Sequence, residues 1–505
     1  MSVIRDLVVF KKLTVSQILI EPKRVKAIYT LHKNDQTEVS NELIYSYDNP
    51  YFDKKNPKDV NLASMMVAQV ALNYGLFCEI IEFDGLYDDV DRRFLTAMME
   101  NTSREIFVNK FLFKNEFLKP PFDQIQPQQM KRYTAAELVF SNSQFGHLKL
   151  EKENAQIDLD QYAILSSGGK DSLLTYGLIK EIGVPHPIFV NESGRHWFTA
   201  INSYQHFKET EPNTAKPWCN SDRIFNWMVR QMPFIKENFQ NIRADIYPIR
   251  LWTVAVFLFG VLPVARKRGV GNILIGNEYD CTLKTIHEGI LHYNALYDQS
   301  KYFDNALTRY YQRKGWNIFQ YSILRSLSEL LILKVLVKRY PDLQRHQVSC
   351  HAAHQEEGRM YPCGKCEKCR RIIGMLKALD EDPGRCGYQE GQITQGLQAL
   401  SQKSVKQIGS DAAHLYHILT EKSLLPLNEH TKRLARQHPQ IMQLRFDKER
   451  SNPADLPPHI REKIFPIYLQ YANGMVKMKD HRWQEVEDGE SLLGAEYFLN
   501  KQAPG

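Results

Sequence analysis

No stretch of this chain is apolar for long enough to cross a bilayer. The longest apolar run, Leu251 to Ala265, is shorter than a bilayer span and contains Gly260 and Pro263. A buried helix is the expected form. The opening residues, MSVIRDLVVFKKLTV, lack a long apolar segment and a small-residue cleavage site, so no secretory signal is expected. Gly-, Ser- and Gln-rich tracts are missing, which argues against a disordered chain. Charge of one sign is missing too. The 65 basic residues exceed the 58 acidic ones by only seven, too few to argue for a nucleic-acid partner. No basic surface interleaved with aromatics, of the kind that stacks RNA bases, is legible. Cysteine is scarce: eight in 505 residues, with Cys78, Cys219, Cys281 and Cys386 dispersed. A cytoplasmic protein without a membrane segment is expected.

What is present is an ordinary soluble composition, 43% hydrophobic and 24% charged, long enough for two or three domains. Residues 1–150 read as an α+β domain. RVKAIYTLH and EVSNELIYSY flank KNDQT as a hairpin, and 61–77 and 90–113 carry helical spacing. LKPPFDQIQPQQ is a connector. From 151 to 385 short apolar runs alternate with helical stretches: YAILSS, HPIFVN, ADIYPIR and NILIGN are strand candidates. That alternation predicts an α/β domain, a parallel sheet with helices on both faces, whose ligands lie beyond the carboxyl ends of the strands. Residues 386–505 read as a helical region without a catalytic motif.

Two motifs stand out. The first is SSGGKDS, residues 166–172, between the first strand and the first helix of the middle domain. Gly168 and Gly169 let backbone amides approach an anion, and the helix N-terminus points its dipole at the same place. Lys170 adds a charge, Ser166, Ser167 and Ser172 add hydroxyls, and Asp171 can cap the helix or help to hold Mg2+. The common P-loop spacing is absent. The second motif is Cys350 with Cys363, Cys366 and Cys369, the last three at two-residue gaps. Four thiolates suit a closed tetrahedral Zn2+ site, and an iron–sulfur cluster is the competing reading. His351 and His354 are spare ligand candidates. Lys365, Lys368, Arg370 and Arg371 form either a solvated face or a face toward a nucleotide.

Residues 167–172 resemble the PP-loop of the ATP pyrophosphatase superfamily. The resemblance implies an adenine nucleotide α-hydrolase-like domain. Its loop cradles the β- and γ-phosphates of ATP while a nucleophile attacks the α-phosphorus. The loop followed by the cysteine pattern, over roughly 160–375, is similar to the 7-cyano-7-deazaguanine synthase family. It differs in its long flanks and in Lys170, where that family usually has an apolar residue. The layout over 60–375 resembles the UDP-N-acetylmuramoyl-L-alanyl-L-glutamate epimerase family: GGKDS at 168–172, IGNEYD at 275–280, YSILRSLSEL at 321–330 and the cysteine cluster. Residues 191–204 match nothing in that family.

The expected function is therefore an ATP-dependent adenylating enzyme that releases pyrophosphate and activates a carboxylate of a small molecule or peptide. A catalytically silent nucleotide- or partner-binding module and a tRNA-modifying enzyme are the alternatives, and a protein partner is left open. Ser166 through Ser172, with Asn277 and Glu278 after the fourth strand candidate, are the expected nucleotide ligands. Lys170, Asp171, Arg325 and Glu329 are the expected catalytic residues, the last two placed on one helical face by their spacing of four. Arg195 and His196 are candidates for holding a substrate carboxylate. Lys284 and His287 are weaker candidates.

Overall fold

A computed structural model describes residues 3–194, 196–242, 247–293, 295–407, 409–487, 489, 492 and 494–500. Its strands up to residue 321 are β1 (Phe10–Glu21), β2 (Arg24–Lys33), β3 (Glu38–Ser46), β4 (Cys78–Phe83), β5 (Glu137–Phe140), β6 (Asp158–Leu165), β7 (Val184–Ile188), β8 (Trp218–Cys219), β9 (Val270–Leu274), β10 (Lys284–His287), β11 (Ile290–Tyr293) and β12 (Phe319–Tyr321). The chain is α/β. One mixed sheet runs β5-β4-β1-β2-β3-β8, and a parallel sheet runs β12-β9-β6-β7. The hairpin expected in the first 50 residues is β2–β3, in register from Arg24↔Ser46 to His32↔Glu38.

β6 shows why the parallel sheet needs cover on both sides. Tyr162 and Ile164 belong to one apolar core and Ala163 to another. Successive side chains leave opposite faces of a strand, so each face must be packed separately. Helices Lys170–Ile182 and Glu329–Arg339 supply apolar residues to the first core, and helix Val254–Lys267 to the second. That last helix is the apolar run of the sequence. It also meets the mixed sheet: Tyr47 donates a hydrogen bond to the Gly260 carbonyl at 2.8 Å, and a Cβ on Gly260 would touch the Tyr45 ring at 3.3 Å. Up to Ala265 this helix is apolar on every side, as a helix packed between two sheets must be, and only its last turn, with Arg266 and Lys267, carries charge.

Two expectations need correction. Within the third strand candidate, 244–250, residues 244–246 lie outside the described residues and 247–250 form no strand. The sheet is extended beyond β7 by residues 215–218 instead, through parallel bridges Ile188↔Ala215 and Asn191↔Trp218. So few apolar residues leave no strand signature in the sequence. The C-terminal region is also not purely helical. Beside helices Gly409–Glu421 and Pro458–Leu469 it holds a sheet of three short strands, Leu444–Phe446, Met475–Lys479 and Arg482–Glu485. Strands of three to five residues are too short for alternation to show. Among the described residues no helix is long and apolar enough to cross a membrane.

Candidate functional site

β6 ends between neighbours that leave in opposite directions along the chain, β7 on one side and β9 on the other. The crevice outside the carboxyl ends at such a point is where ligands sit in open α/β sheets. The loop 166–169 occupies that place. Ser166 N–H still continues the sheet, donating to Ile188 O at 2.9 Å, and its hydroxyl turns back to Ile164 O at 3.2 Å. The backbone then reverses through Gly168 at φ +76°. A Cβ there would lie 2.1 Å from the Thr199 carbonyl oxygen, so the position excludes a side chain twice over. Thr199 Oγ1 donates to Ser167 O at 3.0 Å, and Val348 N–H donates to Gly168 O at 3.1 Å. Ser172 Oγ closes the turn, accepting from Ser167 N–H at 3.3 Å and donating to Gly169 O at 3.1 Å.

Helix Lys170–Ile182 begins directly at Gly169 with no side-chain cap. Its first amides are therefore left for the cleft, where the helix dipole favours negative charge. Lys170 is buried, its Nζ 2.8 and 3.0 Å from the Asp171 carboxylate oxygens, 3.3 Å from Glu329 Oε1 and 3.6 Å from Glu278 Oε2. Burial opposes the ammonium charge, but the surrounding carboxylates outweigh it and hold the Lys170 pKa above its ordinary value. Glu329 is also approached by Arg371 Nε at 3.3 Å and by Gln407 Nε2, which donates at 2.6 Å. Burial would raise its carboxyl, yet Lys170 and Arg371 win and its pKa falls below normal. Glu278 goes the other way. Burial dominates, Lys170 opposes it and the neighbouring carboxylates add to it, so its carboxyl is pushed well up. Two glutamates beside one lysine are thus driven toward different protonation states.

Ser167, Gly169, Lys170, Asp171, His196, Thr199 and Glu329 line one side of a cleft of about 200 Å³, and Val348, Ser349, His351, Lys368 and Arg371 the other. Sequence reasoning missed Thr199, Val348 and Ser349, and also Gln407, which bonds Glu329. They come from segments far apart in the chain and carry no local motif. His351 reaches the cleft rather than the cysteines, with Lys368 Nζ 3.3 Å from its Nε2. His354 opens an exposed strand, His354–Glu356. His196 stands at the rim, bonded to the Tyr247 hydroxyl at 2.6 Å. Burial, then His351, Arg250 and Lys368, push its pKa down to about 3, so it is neutral near pH 7. Arg195 lies outside the described residues.

Glu278 reaches Lys170 from beside the cleft, but neither it nor Asn277 is among the residues that line the cleft. Gly276 makes this contact close: a Cβ there would be 2.7 Å from Asp171 Cβ. The Asn277 backbone is locked to Ser322, whose hydroxyl accepts from its N–H at 3.1 Å and donates to its carbonyl at 2.7 Å. Arg325 is not brought here. Ser328 caps helix Glu329–Arg339, accepting from Leu331 N–H at 3.0 Å, so Arg325 precedes the helix and shares no face with Glu329. Its guanidinium is buried against Asp304, with Thr282 Oγ1 at 3.0 Å and Gln299 O at 3.2 Å. The void beside it is water-sized, about 20 Å³, with no room for a substrate. Lys284 pairs with Glu449 at 3.4 Å, and the His287 ring lies 4.0 Å from the Phe113 ring, both outside the cleft lining.

The four cysteines converge. Their sulfurs all lie within 4.8 Å of one another, with Cys363–Cys369, Cys350–Cys366 and Cys366–Cys369 separations of 3.8, 3.6 and 3.5 Å. A tetrahedral ion with metal–sulfur bonds of about 2.3 Å spaces its sulfurs about 3.8 Å apart. The donor set could therefore hold one metal ion. An iron–sulfur cluster divides its cysteines among two or more irons, and the sulfurs on different irons lie farther apart than the 4.8 Å that encloses all four here. Gly364 at φ +71° makes the knuckle turn, and Cys366 N–H points to Cys363 Sγ at 3.4 Å.

Comparison of the sequence with protein-family models and with curated proteins gives no match.

Proposed function

We propose that this chain is an ATP-dependent adenylating enzyme of the PP-loop kind, activating the carboxylate of a small molecule or peptide. The observation that carries the reading is the uncapped helix start behind Gly168 and Gly169, with Lys170 beside it, at the carboxyl end of the central parallel strand. First-turn amides and an ammonium converging there are complementary to the β- and γ-phosphates. A substrate carboxylate oxygen attacks the α-phosphorus, and the bond from that phosphorus to the bridging oxygen breaks. The electron pair leaves on pyrophosphate, and an acyl adenylate remains. Asp171, which lines the cleft, is suited to hold the Mg2+ that accompanies ATP. Zn2+ fits the four-cysteine knuckle on sulfur spacing and donor type, and with no open position its role is structural.

The test is pyrophosphate release from ATP with a pool of carboxylates, in the wild type and in Asp171→Ala. Release that is lost in the variant, with its circular dichroism unchanged, is expected. Tight ATP binding without pyrophosphate from any carboxylate would instead favour a silent nucleotide-binding module.

A further inference from the structure

The two sides of the cleft have different origins. One is the phosphate loop with His196, Thr199 and Glu329. The other is made of residues next to metal-ligating cysteines in sequence: Ser349 and His351 flank Cys350, and Lys368 and Arg371 flank Cys369. Cys366 is the N-cap of helix Glu367–Ala378, so the knuckle sets where that helix starts. Lys368 and Arg371 are three residues apart and therefore share a face. Lys368 remains exposed at the mouth beside His351, whereas Arg371 reaches inward to Glu329. Beside the contact of the His196 and His351 rings, 4.5 Å apart, two ties between the sides matter here. One is the Val348–Gly168 hydrogen bond of 3.1 Å, two residues before Cys350. The other is the chain Arg371–Glu329–Lys170, with both links at 3.3 Å.

Resting on the adenylation reading, we propose that Lys368 and Arg371 are phosphate-binding residues placed by the metal knuckle, so that polyphosphate binding and metal retention are thermodynamically linked. Arg371, whose Nη1 also donates to the Lys406 carbonyl and lies 3.5 Å from Glu367, offers phosphate oxygens a planar guanidinium, and Lys368 offers a mobile point charge. Glu329 lies between Lys170 and Arg371 and separates their charges, and a polyphosphate placed against the loop would draw both cations. If the ordered knuckle raises nucleotide affinity by some factor, bound nucleotide raises metal affinity by the same factor.

The experiment measures metal affinity by equilibrium competition with a colorimetric chelator on the full, metal-loaded chain. It compares no nucleotide, AMP, and magnesium α,β-methylene-ATP, which cannot lose pyrophosphate. Nucleotide affinity is measured in parallel by calorimetry. In the wild type the triphosphate analogue should raise metal affinity about tenfold, and AMP should leave it unchanged. Lys368→Gln and Arg371→Gln should each bind the analogue about tenfold to a hundredfold more weakly, the value of a lost charge-assisted bond, and abolish the effect on the metal. Lys365→Gln, exposed on the same knuckle, should behave as wild type. Arg371→Lys guards against a folding defect: partial recovery of affinity relative to Arg371→Gln supports direct phosphate contact. Variants that bind the analogue as tightly as wild type overturn the proposal and leave adenylation standing. Unchanged metal affinity in a wild type that binds the analogue overturns the linkage. A wild type that does not bind the analogue at all overturns both readings.

Discussion

Two adjacent glycines should respond very differently to alanine. At Gly168 the backbone has φ +76°, and an added Cβ would sit 2.1 Å from Thr199 O and 2.9 Å from Ala200 Cα. The left-handed backbone costs an alanine about 1–2 kcal/mol. The contact is with backbone, which cannot swing away as a side chain would, and overpacking of this kind costs about 1–3 kcal/mol more. Gly168→Ala should therefore lose about 2–5 kcal/mol if the loop stays in place. A smaller loss is expected only if the loop moves, and then nucleotide binding should fail. At Gly169, with φ −84°, the Cβ would meet nothing nearer than Ser167 Oγ at 3.6 Å. Gly169→Ala changes only the helix cap and should cost under about 1 kcal/mol. Urea unfolding of both variants, with calorimetric titration of magnesium α,β-methylene-ATP, measures the contrast. If both alanines have the same effect, or if Gly168→Ala is stable and binds the nucleotide analogue as wild type does, the loop does not turn through a left-handed Gly168.

Other consequences concern residues away from the loop. Arg325→Met should destabilise the fold by about 3–5 kcal/mol, because it leaves Asp304 buried without its partner. Arg325→Met with Asp304→Leu should recover most of that loss, and a harmless single variant would show that the pair is not buried. Glu105 is buried and accepts the Tyr293 N–H at 3.2 Å, and burial, opposed by Arg104, lifts its carboxyl to about 7. Because the folded pKa exceeds the unfolded one, the stability this group contributes is complete below about pH 4.5 and is lost as pH rises through 7. Glu105→Gln, uncharged throughout, should thus match wild type near pH 4 and exceed it at pH 8 by up to about 3 kcal/mol. A difference that stays flat with pH would contradict the raised carboxyl. Cys363→Ser should lower both metal content, read by elemental analysis, and the thermal midpoint, since one of the four sulfurs is gone. Retained stoichiometric metal would argue against the four-sulfur site.

The parts of this protein that could be read from its residues are those in which near neighbours in the chain do the work. The β2–β3 hairpin follows from alternation on either side of a turn. The helix that stops at Gly183 and the helix Val254–Lys267, apolar up to Ala265, follow from their spacing and length. SSGGKDS and CGKCEKC carry their chemistry within seven residues each, so loop and knuckle were visible without coordinates. Long-range geometry set the rest. Spacing put Arg325 and Glu329 on one face, but Ser328 starts a new helix between them, and Asp304, twenty-one residues upstream, takes the arginine. Nothing local marks Ala215 to Trp218 as sheet, because the partner residues 188–191 supply the hydrogen bonds. The cleft itself was equally hidden, since its sides come from residues 167–171, 196–199, 329 and 348–372. A backbone turn or a knuckle is an interaction among adjacent residues, which a motif can record. The protonation of Glu278 and Glu329, and the meeting of Lys170 with Arg371 through Glu329, depend on burial and distance, which only chain packing creates.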